Sequence, residues 1–164
     1  MLTLPTCKCL VLGYGNTLRS DDGVGYLVAE TVANWNLDYV QALALHQLTP
    51  DLAESIAHTQ IVIFVDAVAK SADATAEIEL EQLEPNYAAT FTGHYADPRS
   101  LLSLTYVLYE ATPIAYRLLI PAINFGFGES LSAVTQASMA LAVAKIQHLI
   151  GQPSLIETSQ TSHY

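Results

Sequence analysis

The chain has 164 residues, 51% hydrophobic and only 13% charged, with 16 Asp and Glu against 6 Lys and Arg and a formal net charge of -10. This length predicts one domain with a substantial core; no apolar run approaches the roughly 18 residues of a membrane span, and no basic region precedes a long apolar stretch, so the expected location is the cytoplasm. The acidic balance argues against nucleic acid, whose affinity comes largely from neutralised phosphates, and favours a divalent cation or a protein partner with a basic segment.

Lys8 to Leu12 reads as a short buried strand. Cys7 and Cys9 stand two apart in it, on one face. A disulfide at that spacing is geometrically poor, and two cysteines alone make no zinc site, so both read as small apolar residues. Next comes the loop Gly13-Tyr14-Gly15-Asn16-Thr17-Leu18-Arg19-Ser20-Asp21-Asp22-Gly23-Val24-Gly25. Strand, glycine-rich loop, then helix is how α/β proteins build sites at strand ends. The loop lacks the third glycine of a dinucleotide fingerprint, because Leu18 occupies that position. It carries two adjacent carboxylates, which would repel a phosphate and attract a metal or a cationic group.

Gly23 to Ala33 predicts a helix, with Val24, Leu27, Val28 and Val32 at helical spacing. Val40 to Leu45 predicts a strand. Thr49-Pro50-Asp51 predicts a helix start, with Thr49 as cap, running to about Ala57. Ile61 to Val65 is a continuous β-branched run, expected for a central parallel strand covered on both faces, and Asp66 is expected to end it. Glu77 to Glu81 alternates strictly and predicts an edge strand with one wet face.

Asp97-Pro98 opens a helix from Arg99 to Glu110, with Leu101, Leu102, Thr105 and Leu108 on its apolar side. Tyr116 to Ile120 predicts a strand, and Ser132 to Ile150 a long helix stopped by Gly151 and Pro153. The order predicts a three-layer α/β fold: a mainly parallel twisted sheet, helices on both faces, and one antiparallel edge strand. Residues 1–151 form the expected single domain and 152–164 a polar tail expected to be disordered.

Ligands of open α/β sheets bind beyond the carboxyl ends of the strands. Three loops there carry candidates: Asp21 and Asp22, Asp66, and His94 in Thr92-Gly93-His94-Tyr95-Ala96-Asp97. Two carboxylates and an imidazole from separate loops make an O/O/N set for a divalent transition metal. Each has a plainer reading. Asp22 can cap the following helix, which does not exclude metal ligation; Asp66 can be a turn residue; His94 can be a surface histidine. Asp21 is expected to face solvent. His58 reads as structural, and His148 and His163 as surface residues. No Gly-x-Ser-x-Gly elbow is present.

The stretch Leu10 to Gly25 resembles the signature of the [NiFe]-hydrogenase maturation endopeptidases. The resemblance continues through Ile63-Phe64-Val65-Asp66-Ala67, Gly93-His94, Ile120-Pro121 and Phe127-Gly128-Glu129-Ser130-Leu131-Ser132. It implies an enzyme that removes a C-terminal extension from a hydrogenase large-subunit precursor after nickel insertion. Its metal-binding positions map onto Asp22, Asp66 and His94, with Asp22 and Asp66 also the implied catalytic pair. Nickel is supplied by the substrate, and the implied partner is the precursor, met by a monomer. Some members carry Glu where this chain has Asp22.

His46-Gln47-Leu48-Thr49-Pro50 looks like the loop of the protease for the cyanobacterial bidirectional NAD(P)-linked hydrogenase. Gly13, Asn16, His46, Gln47 and Leu48 are therefore the expected substrate-binding residues, although His46 also reads as a polar residue closing a strand. Two other classes stay open: a non-catalytic nickel-sensing assembly factor for the same precursor, and a small enzyme binding a nucleotide or sugar phosphate, which the acidic loop disfavours.

Overall fold

The computed structural model describes residues 7–85 and 97–151. Among these residues, five strands form one sheet in the order β2-β1-β3-β5-β4. They are β1 (Cys7–Tyr14), β2 (Val40–Leu45), β3 (Thr59–Ala69), β4 (Glu79–Leu83) and β5 (Ile114–Ala122). β1, β2, β3 and β5 run parallel, while β4 pairs antiparallel with β5 at one edge. The helices are α1 (Val24–Ala33), α2 (Leu52–Ala57), α3 (Pro98–Tyr109) and α4 (Ala133–Ile150). A mainly parallel sheet with one antiparallel edge strand is what the alternating elements predict.

The two-residue period of the strands divides the core in two. Cys9, Val11, Ile61, Ile63, Val65, Leu118 and Ile120 face Val24, Val28 and Val32 of α1 and Ala142, Ile146 and Leu149 of α4. Leu10, Leu12, Tyr14, Val62 and Phe64 face Leu52, Ala53 and Ile56 of α2 and Leu101, Leu102 and Leu104 of α3. Three layers result. Burying a side chain of the size of Phe64, Leu10 or Ile63 contributes about 1.5–3 kcal/mol. Among the described residues no helix is long and apolar enough to cross a membrane.

Several boundaries differ from the sequence reading. β3 does not stop at Asp66 but continues to Ala69, because β5 pairs with it through Ala69↔Ala122. α2 starts at Leu52, as Thr49 and Pro50 are used in a turn whose carbonyls accept from Leu52 and Ala53 N–H, both at 3.1 Å. Asp97-Pro98 opens α3 as expected, one residue earlier than Arg99; Asp97 caps it, accepting from Arg99 N–H, with Pro98 in the first turn. Leu108 does not join the apolar side of α3: it is 59% exposed, in a last turn whose residues Tyr106 to Tyr109 all stand in solvent.

The glycine loop is packed against the sheet at two close approaches. A Cβ on Gly13 would lie 2.0 Å from the Gly25 carbonyl oxygen, and one on Gly25 would lie 2.4 Å from the Val65 carbonyl oxygen. The start of α1 therefore rests on the ends of β1 and β3 with no room for a methyl group. Gly13→Ala or Gly25→Ala should lower unfolding free energy by about 3 kcal/mol or more, measured as urea midpoints. Gly151→Ala, whose nearest neighbour would be 3.3 Å away, should stay within about 1 kcal/mol of the parent chain.

Candidate active site at the carboxyl edge of the sheet

The register aligns the strand ends. Gly13 lies opposite Val65, and Tyr14 opposite Leu45. Tyr14 and Asp66 thus stand side by side on the α2–α3 face, and His46 follows directly after β2. The Tyr14 hydroxyl donates to the Asp66 carboxylate, which also accepts from its neighbour's amide, Ala67 N–H, at 2.8 Å. Burial raises the Asp66 carboxyl above the ordinary carboxylate range, and the charge of Asp22 adds to the rise. The two hydrogen bonds and Arg117 oppose it. Burial, with the adjacent Asp66 charge, likewise pushes the Tyr14 phenol up, so it remains a donor. Arg117 is itself held by Glu81 across the β4–β5 pair.

Asp22 comes from the short 3-10 turn Ser20–Gly23 that precedes α1. It does not cap α1; Gly23 holds that position and no side chain caps it. Instead Asp22 Oδ2 accepts from Asn16 N–H at 2.9 Å, closing the loop on itself. Asn16 Oδ1 in turn accepts from Leu18 N–H at 2.9 Å. Gly15 has φ 148°, and a Cβ there would lie 1.9 Å from the Asp22 carbonyl oxygen. Only glycine allows that crossing. The loop therefore holds one carboxylate at the mouth, near enough for its charge to act on Asp66.

Asp21 does not face solvent. It is 0% exposed. Its carboxylate accepts from Ser132 N–H at 2.7 Å, Ser132 O–H at 2.8 Å, and Ile123 and Asn124 N–H at 3.0 Å each. Burial alone would raise the Asp21 carboxyl, but these donors outweigh it and hold it below the ordinary value. A buried carboxylate is tolerated only when so satisfied. Sequence reasoning missed this role, although the signal was present: Ser132 sits one residue before a long helix, where free N–H groups gather. Ser20, alongside, has φ 51° and donates through its hydroxyl to the Gly126 carbonyl at 2.8 Å.

The expected substrate contacts divide. His46 and Gln47 are exposed at this edge, and His46 stacks on Tyr26 of α1 with ring centroids 5.5 Å apart. Leu48 is instead 5% exposed and belongs to the core with Leu52 and Ile56, anchoring the loop. Gly13 is buried under Gly25, and Asn16 is exposed with its side chain spent on the loop turn. His94 lies outside the described residues. Among the described residues, no three His, Cys, Asp or Glu side chains gather to hold a metal ion.

Neither a protein-family model nor a curated protein sequence matches the chain. Solved structures do. The chain is similar to the hydrogenase maturating endopeptidase HybD from E. coli, with TM-score 0.70, 18% identity, and 87% of this chain and 91% of that one covered. It is similar to the [NiFe] hydrogenase maturation protease HybD from Thermococcus kodakarensis, with TM-score 0.69, 21% identity and coverage of 87% and 98%. A hydrogenase 2 maturation peptidase from a Thaumarchaeota archaeon gives TM-score 0.64, 24% identity and coverage of 88% and 98%. The chain thus has the fold of the hydrogenase maturation proteases over nearly its whole described length.

Asp21→Ala should lower unfolding free energy by about 3–5 kcal/mol, because four donors lose their acceptor. The pH dependence has a definite sign. A carboxyl lowered in the folded state stabilises above its unfolded value and loses that contribution as pH falls through the lowered one. The stability gap between the parent chain and Asp21→Asn should be full near pH 6 and close as pH falls below about 4, by calorimetry.

Proposed function

We propose that this chain is an endopeptidase that removes the C-terminal extension of a [NiFe]-hydrogenase large-subunit precursor after nickel insertion. The observation that carries this reading is the pairing of Asp22 with Asp66 at the carboxyl edge of this particular fold. Two carboxylates arrive from separate elements, one on a closed loop and one on a central strand, and the charge of Asp22 acts on Asp66. His94 is the proposed third ligand. It precedes Asp97 by three residues in the sequence, and the charge of Asp97 acts on Tyr14, the donor to Asp66.

The nickel belongs to the substrate. Carboxylate oxygens and one imidazole nitrogen suit a divalent transition metal, and Tyr14 and Asn16 supply the outer hydrogen bonds that orient such ligands. Asp22, Asp66 and His94 complete the coordination of the precursor's nickel and bring the scissile peptide to the sheet edge. Water adds to its carbonyl, the C–N bond breaks, and a new carboxylate and amine are released. A precursor without nickel is not held, so cleavage waits for metal insertion. The exposed His46 and Gln47 meet the substrate beside the site, and their loop supports the precursor of a bidirectional NAD(P)-linked hydrogenase as the substrate. The chain acts in the cytoplasm as a monomer.

The test is the intact mass of nickel-loaded and nickel-free precursor before and after incubation with the chain. Loss of a defined C-terminal peptide from the loaded form alone is expected. An unchanged mass with a stable complex would favour the non-catalytic assembly factor. Asp22→Ala and Asp66→Ala should each slow cleavage by at least about a hundredfold, more than loss of an outer hydrogen bond costs, and full activity in His94→Ala would overturn the metal site.

A further inference from the structure

Phe127 is 91% exposed, more than any other large hydrophobic side chain among the described residues. A lone exposed apolar residue is ordinary, but this one has an unusual mounting. Gly126 and Gly128 flank it, and both are tied to the acidic loop. The Ser20 hydroxyl donates to the Gly126 carbonyl at 2.8 Å, Ser20 N–H to the Gly128 carbonyl at 2.8 Å, and Gly128 N–H to the Leu18 carbonyl at 2.9 Å. Asp21 fastens the same segment through Ile123 and Asn124 before it and Ser132 after it. The guanidinium of Arg19 lies 5.8 Å from the ring centre of Phe125.

The result is a fixed backbone displaying a phenyl ring to water. Leu18, 48% exposed, stands on the strand-like segment paired with it through the Arg19↔Gly128 bridge. Two apolar side chains therefore project from two joined loops, one of which also carries Asp22, four residues beyond Leu18. A held backbone suits docking, because little loop freedom is lost on contact, and an aromatic anchor in a pocket carries much of the binding energy. Charges of both signs stand around the patch: Glu129, two residues beyond Phe127, is exposed, and so is Arg19, bridged to Gly128.

We infer that Phe127, with Leu18, is a docking knob for the folded body of the substrate protein, which presents an apolar socket. This rests on the reading of the chain as the protease of a hydrogenase precursor, and deepens it. The knob meets the precursor away from the scissile bond, while the shared Asp21 clamp sets its distance from Asp22. Binding energy gathered at the knob thus places the precursor's nickel at the carboxylates.

The experiment measures Kd of the full chain for nickel-loaded large-subunit precursor, with wild-type cleavage followed by mass. Phe127→Ser should weaken binding about ten- to thirtyfold. Leu108→Ser is the control, equally apolar and 59% exposed but at the far end of α3, by the amino edge of the sheet where Tyr109 meets His58. It should bind within about twofold of wild type, and both variants should melt within about 2 °C of it. If wild type cleaves and Phe127→Ser binds as tightly, the knob is overturned and the protease reading stands. An equal loss in Leu108→Ser overturns it as well. Wild type that neither binds nor cleaves removes the protease reading, and the docking proposal with it.

Discussion

The arrangement at the carboxyl edge depends on one buried carboxylate. Asp21 accepts hydrogen bonds from the end of β5 and from the residue that caps α4, more than one hundred positions away in the chain. An ionised group in that position is costly unless every oxygen is satisfied. The constraint runs both ways: the donors need Asp21, and Asp21 needs the donors. Once the clamp closes, the β1–α1 loop and the β5–α4 loop become one rigid body. Asp22, Ser20, Gly128 and Phe127 inherit their positions from it.

Two carboxylates at this edge therefore have opposite environments. Asp21 is lowered by the amides that surround it; Asp66, on the strand beside Tyr14, is raised by burial and by the charge of Asp22. The first is structural because all of its oxygens are occupied. Asp66 takes one amide and one phenol, and Asp22 one amide, which leaves lone pairs for a ligand. That difference in spare acceptor capacity, more than the number of acids, separates a clamp from a candidate metal ligand.

The elements themselves were legible. β2 spans the predicted residues, the β-branched run Ile61 to Val65 lies buried at the centre of the sheet, and an edge strand forms at Glu79–Leu83, two residues beyond the predicted Glu77 to Glu81. Local patterning decides such features, because periodicity determines which face can be buried. Errors fell where long-range pairing or a neighbouring layer decides. β3 extends past Asp66 because β5 offers it a partner; Leu108 is exposed because no layer buries the last turn of α3; Leu48 turns into the core because Leu52 and Ile56 are there to receive it.

The sequence by itself determined the α/β class, the strand–loop–helix unit at Gly13 to Gly25, and the choice of Asp22 and Asp66 as candidates, since residue type and strand-end position suffice for these. Only the tertiary structure decided which acid of the Asp21–Asp22 pair is buried. Neighbours in sequence have the same composition around them, and the difference lies in donors brought from Ile123, Asn124 and Ser132 by the closing of the sheet. The same folding joins Tyr14 to Asp66 and lifts Phe127 into solvent beside the acidic loop. A local pattern cannot encode either, because both depend on where distant backbone amides and strand ends come to rest.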